Sequence, residues 1–246
     1  VPVFCLIVFQ IAGSRLLTHE EEKGGAEAKA GKKVSWLKSP TYLWLLAIGL
    51  FAGMWPELVV MDWSALFVRK IYGNEYTSLA GVPYAVLGAA MVIGRFSIGT
   101  LTKRWHLATL AKWGGIFGSI AMGIGVLGSL VPGGFVIQCI FFGFAGFGLA
   151  PQVPSSYSAA GNVRGLSTAQ ALSRISLVNA LVVMIAKVFM GSLSQGFGLQ
   201  WAFLFPITMY FIAGLVSGVV ANHSKRQARE DATAYPPTGP ISSIDA

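Results

Sequence analysis

Six apolar stretches set the terms for this chain. They cover about residues 41–67, 77–101, 107–130, 135–157, 168–193 and 199–221, and each is long enough to cross a hydrocarbon core of roughly 30 Å as a helix. A soluble core of this size has no room for so much apolar surface, whereas a bilayer does. Composition agrees: hydrophobic residues make up 54% of the chain and charged residues 11%, against about 25% charged in a soluble domain. The 30 glycines also suit membrane helices, where small residues let backbones approach. The predicted fold class is therefore all-α, a polytopic membrane protein.

The connecting segments divide the chain. Residues 1–13 hold the apolar run Val1–Ala12, too short to span. They lack the basic start and small-residue cleavage site of a signal peptide and read as the end of a helix that begins before Val1. On this reading the chain is a fragment. Residues 14–40 form a polar linker in which Glu20, Glu21 and Glu22 are followed by Lys23, Lys29, Lys32, Lys33 and Lys38. Ser39 and Pro40 read as an N-cap and a proline at the first helical position. The six-span bundle then occupies 41–221. The tail, 222–246, carries Pro236, Pro237 and Pro240 and reads as disordered. Pro56 interrupts the first span, Pro132-Gly133-Gly134 make a tight turn, and Pro151 and Pro154 predict a kink in the fourth span. Cys5 and Cys139 both lie in apolar runs and read as buried thiols.

Charge orients the spans. Fifteen of the 18 Lys and Arg fall on one side of the alternating pattern, while Arg69 and Lys70 fall on the other and Lys187 lies within the fifth span. The positive-inside rule places the crowded side, the C-terminus included, in the cytoplasm of a cell bounded by a plasma or inner membrane. The net charge of +8 follows from these loops and does not point to nucleic acid. The three histidines sit in different segments and predict no metal site. No Walker loop or Ser-His-Asp set is present, and Glu57 and Asp62, the one acidic pair near an interface, would point about 140° apart on an ideal helix. The chain reads as a non-enzyme.

Three motifs carry a resemblance. Gly94-Arg95-Phe96-Ser97-Ile98-Gly99-Thr100-Leu101-Thr102-Lys103-Arg104-Trp105, between the second and third spans, resembles the G-R-x-x-x-G-x-L-x-D-R signature of the major facilitator superfamily in its second-half copy. Asp62-Trp63-Ser64-Ala65-Leu66-Phe67-Val68-Arg69 resembles the end of helix seven in a bacterial branch related to fucose permeases. Ser158-Ala159-Ala160-Gly161 resembles the loop between helices ten and eleven of that branch. The resemblance covers about residues 41–221 and makes the six spans helices 7–12, with residues 1–13 the end of helix 6. It implies a conformational gate at Gly94, Arg95, Gly99 and Arg104, whose glycines let two helices close up. It also implies a partner, the missing N-terminal six-helix half. Lys103 stands where the signature has Asp, His106 where Gly is common, and Lys187 where related helices often have Pro or a small residue.

Within the spans, ionisable and amide groups are the functional candidates, because each is costly in lipid. Glu57 lies about 25 Å along its helix from Pro40 at 1.5 Å per residue. It reads as a substrate-binding or proton-coupling carboxylate, or as an interfacial one that meets water. Asp62 lies further out, with Arg69 or Lys70 as its expected local partner. Trp55 and Trp63 read as interface anchors. Arg174 and Lys187 read as snorkelling side chains, Arg174 alternatively as a partner for a substrate anion. Asn179, between them, serves either as interhelical glue or as a ligand contact. Gln152, between two prolines, points to a gate or cavity. The resemblance implies a secondary transporter of a small solute, sugar-like or another small organic molecule, working by alternating access, and Glu57 makes H+ the candidate coupling ion. No other cofactor is expected, and the partners are the lipid bilayer, the solute and the missing half. Multidrug-type efflux and a non-transporting receptor or scaffold stay open as alternatives.

Overall fold

A computed structural model describes residues 40–163 and 165–234, with side chains as far as 226. The expected helix end and linker, 1–39, lie outside the described residues, as do 235–246. Eight α-helices and one 3-10 segment follow in order: α1 (Thr41–Ile71), the 3-10 segment (Asn74–Leu79), α2 (Val82–Leu101), α3 (Leu107–Gly128), α4 (Gly134–Leu149), α5 (Gln152–Gly161), α6 (Thr168–Gly196), α7 (Leu199–Ala202) and α8 (Leu204–Ala234). There is no strand among the described residues. Six helical units among them are long and apolar enough to cross a membrane: Thr41–Ile71, Asn74–Leu101, Leu107–Gly128, Gly134–Gly161, Thr168–Gly196 and Leu199–Arg226. Outward-facing side chains are apolar too, Phe96 being 84% and Val188 73% exposed. Such a surface suits lipid or the apolar face of another helix bundle, and not water.

Proline chemistry explains where the helices break. Pro151 lacks an N–H and crowds the preceding turn, and the fourth span divides there into α4 and α5, as the sequence predicts. Pro154 breaks nothing, because it is the third residue of α5, where an N–H has no intrahelical acceptor in any case. Pro56, expected to interrupt the first span, lies inside an unbroken α1. The cap of α1 is Pro40 and its first residue is Thr41, one residue later than the sequence reading places it. Ser167 and Gln170 form a capping box at the start of α6, the Ser167 hydroxyl accepting from the Gln170 N–H and the Gln170 side chain from the Ser167 N–H. The tail differs from expectation. Asn222–Ala234, read as disordered, continues α8, since this stretch holds Lys, Arg, Gln, Glu and Ala and meets no proline before Pro236.

Glycine sets the spacing of the packed helices. α3 packs on α4 through Gly114 against Gly148, and on α8 through Gly115 against Gly214, in each case backbone to backbone. Gly118 makes room for Tyr210, which is fully buried and donates its hydroxyl to the Ala145 carbonyl of α4 at 2.8 Å. Gly133, at φ 74°, supplies the left-handed turn that starts α4. Around these contacts lies a core that includes Leu87, Met122, Phe142 and Phe203.

The bundle has two distinct ends. At one end Tyr42, His106, Asn162 and Ser224 surround a common cavity. At the other, Tyr72 stacks edge-on against Phe135, their centroids 5.5 Å apart, and Gln200 donates to the Ser129 hydroxyl at 2.6 Å. The Lys103–Trp105 turn, beside His106, and the Pro132–Gly134 turn, beside Phe135, therefore lie at opposite ends. The first, with Lys103 and Arg104, is the basic end.

Candidate functional site

Met54 of α1 is the point around which the expected candidates gather. Asn179 of α6 is 8% exposed and donates its Nδ2 to the Met54 sulfur at 3.2 Å, while its Oδ1 is buried without a hydrogen bond among the described residues. Glu57 follows Met54 by three residues, on the same side of α1, and is half-buried. The Arg95 guanidinium of α2 donates to the Met91 sulfur of its own helix at 3.5 Å. A carboxylate and an amide from two helices are thus held about one stretch of α1.

A second polar contact ties the same two helices. Lys187 of α6 pairs with Asp62 of α1, Nζ to Oδ2 at 2.8 Å. This corrects one expectation: among the described residues Asp62 pairs with neither Arg69 nor Lys70, but with Lys187 of another helix, whose side chain stays half exposed. The geometry has a simple cause. Met54 and Asn179 are 125 residues apart, and so are Asp62 and Lys187. α1 and α6 run parallel and in register, with the two contacts about 12 Å apart along the axes, eight residues at 1.5 Å each. Trp55, Leu58, Val59, Trp63, Val183, Ala186 and Met190 surround the ion pair.

The remaining candidates are not drawn into this site. Gln152 is 2% exposed and faces α3 and α8, donating to the Ala111 carbonyl at 2.7 Å and accepting from the Ser217 hydroxyl at 3.4 Å. It is a tie between helices, and the expectation that it faces a cavity is corrected. Arg174 is 8% exposed and sits five residues before Asn179 on α6. Burial of this degree does not fit a side chain that snorkels to the surface. Trp55 is 4% exposed and packs edge-on against Phe51 and Phe205, so it is a core residue and not an interface anchor.

In the expected gate motif, Gly94 and Gly99 differ. A Cβ on Gly94 would meet Ala150 Cβ at 2.7 Å, so α2 and the α4–α5 break are in close approach there. A Cβ on Gly99 would meet nothing within 4 Å among the described residues. Only one of the two glycines closes a helix pair within this bundle. Arg104 lies in the exposed turn after α2.

The chain is 26% identical over 182 residues to an uncharacterized transporter of Sinorhizobium fredii, covering 73% of this chain and 44% of that protein. It is 27% identical over 163 residues to an uncharacterized MFS-type transporter of Yersinia pestis, covering 65% of this chain and 41% of that protein. The chain is a homologue of MFS-type transporters. It spans less than half the length of these curated relatives. No protein-family model matches it, and no solved structure does. The match supports the superfamily that the three motifs resemble, without reaching the fucose-permease-related branch. With six apolar helical units and relatives named as transporters, the chain is a multi-pass integral membrane protein.

The sequence reading missed Met54, since methionine in an apolar run normally reads as packing. The 125-residue offset of the Asp62–Lys187 pair, applied to Asn179, leads to it.

Proposed function

We propose that the chain is the C-terminal six-helix half of a secondary transporter, which carries a small polar organic solute by alternating access and couples it to H+ through Glu57. The observation that carries the reading is the contact of Asn179 with Met54, one helical turn from Glu57, in a homologue of MFS-type transporters. Groups of this kind are expensive inside a bilayer, and a polar solute that crosses it needs them as partners. Asn179 supports the solute contact most directly, because its buried Oδ1 has no partner among the described residues.

Coverage of the helices supports the second half. α1 has 61% of its most apolar window buried, whereas the spans built on α2 and α6 have 28% and 22%. Those two spans offer the surface against which another bundle would rock. On this proposal the basic end faces the cytoplasm, with the C-terminus, in a plasma or inner membrane.

The test is uptake by proteoliposomes bearing the full-length gene product that contains this chain. Solute accumulation driven by a proton gradient is expected, with Glu57→Gln losing accumulation while keeping downhill exchange. Absence of any solute flux overturns the transporter reading. Flux with proton-driven accumulation unchanged in Glu57→Gln removes the coupling role alone.

A further inference from the structure

A cavity of about 110 Å³ opens at the basic end, away from Glu57 and Asn179. Its lining includes Leu107, Ala108, Ser155, Ser158, Asn162 and Ser224. Leu107 and Ala108 are the first residues of α3, a 22-residue helix whose cap residue, His106, makes no side-chain capping bond. The His106 carbonyl accepts from the N–H groups of Thr109 and Leu110. The N–H groups of Leu107 and Ala108 have no acceptor among the described residues. A helix of this length concentrates positive potential at that point.

The second observation is independent of the helix end. Ser155, on α5, is 4% exposed, lines the same cavity and makes no side-chain hydrogen bond among the described residues. Its neighbour Ser156 behaves in the ordinary way, donating to the Gln152 carbonyl at 3.1 Å. The Ser155 hydroxyl and the two free N–H groups line one cavity and are donors without an acceptor among the described residues. No carboxylate lines the cavity. Lys103 and Arg104 shortly precede α3, and Lys225 and Arg226 directly follow Ser224.

We propose that this cavity binds the phosphate group of an anionic ligand, with the Leu107 and Ala108 N–H groups and the Ser155 hydroxyl as donors. Phosphate suits the site because it offers several acceptor oxygens to donors arriving from two helices. The cavity lies where membrane-spanning helices begin and end, so the phosphate is supplied either by a lipid headgroup or from solution. The inference stands apart from the transport reading.

The test uses the full chain, purified and stripped of lipid. Its thermal midpoint is read against inorganic phosphate. Retention of phosphatidylglycerol over phosphatidylcholine is then read by native mass spectrometry after reconstitution in vesicles of each. His106→Asp puts a carboxylate at the cap of α3, where it accepts from the free N–H groups itself. It should raise the midpoint without ligand and weaken phosphate binding about tenfold. Ser155→Ala should weaken binding less and leave the fold intact, and it decides the matter should His106→Asp not fold. Stabilisation by inorganic phosphate that the variants blunt supports the site with free phosphate as its source. No response to inorganic phosphate, with variant-sensitive retention of phosphatidylglycerol, supports it with a lipid headgroup as the source. Binding that the folded variants leave unchanged, or no binding in either arm, overturns it.

Discussion

Asp62 and Lys187 form an ion pair at 2.8 Å that joins α1 to α6. Each charge makes the other tolerable in an apolar bundle. Lys187 is a departure from the pattern that the chain resembles, and Asp62 belongs to a motif that matches it. The lysine is therefore explained by a partner that the sequence separates from it by 125 residues.

Removing one partner should cost more than removing both. Asp62→Asn and Lys187→Met should each lower the thermal midpoint of the purified chain, and the double variant should recover part of the loss. The Lys187 side chain is 52% exposed, so the coupling in a double-mutant cycle should be modest, about 1 kcal/mol. Exchanging the charges, Asp62→Lys with Lys187→Asp, should restore the midpoint. Additive single variants would show that the pair contributes nothing.

Gln152 should act on stability and not on solute recognition. Gln152→Leu removes the donor to the Ala111 carbonyl and the acceptor for Ser217. The expected loss is about 1–3 kcal/mol, the usual cost of stranding buried polar groups, measured by denaturant unfolding in detergent. Variants that remain folded should keep their apparent solute affinity.

Gln152 also marks the limit of what the sequence could tell. The six spans, their order and the break at Pro151 follow from apolar length and proline chemistry, because both are local. The direction in which a side chain points is not local. Gln152 between two prolines looks like a gate residue, yet the turn of α5 aims it at α3 and α8. Glu57 and Asn179 were legible as candidates because an ionisable or amide group in an apolar run is conspicuous. That they gather about Met54 could not be read, since it depends on α1 and α6 running in register. The helical stretch Asn222–Ala234 was hidden by the prolines that follow it.

The two motif glycines should give opposite results. Gly94→Ala should destabilise the bundle by about 1–3 kcal/mol, because the new methyl presses on Ala150. Gly99→Ala meets open space and should be neutral or slightly stabilising, by up to about 1 kcal/mol, through lower backbone freedom in the unfolded chain. Thermal unfolding of the purified chain checks both. If a well-folded Gly99→Ala full-length protein loses transport, the open face at Gly99 is one that a second bundle must approach.

Tyr210 should report on the centre of the bundle. Tyr210→Phe removes the hydrogen bond to the Ala145 carbonyl while keeping the ring, and should cost about 1 kcal/mol. Gly118→Ala strikes the same phenol from α3 and should cost more, because the Tyr210 ring is enclosed on every side. Unfolding of the two single variants and their double gives the order.

Sidedness is the most direct test of the whole account. Single cysteines replacing Arg104 and Pro132, in a chain whose Cys5 and Cys139 are changed to Ala, are exposed to an impermeant thiol reagent on intact cells. The cysteine at 132 should react from outside, and that at 104 only after the membrane is opened. Labelling of both from the same compartment would contradict the six-span bundle and every reading built on it.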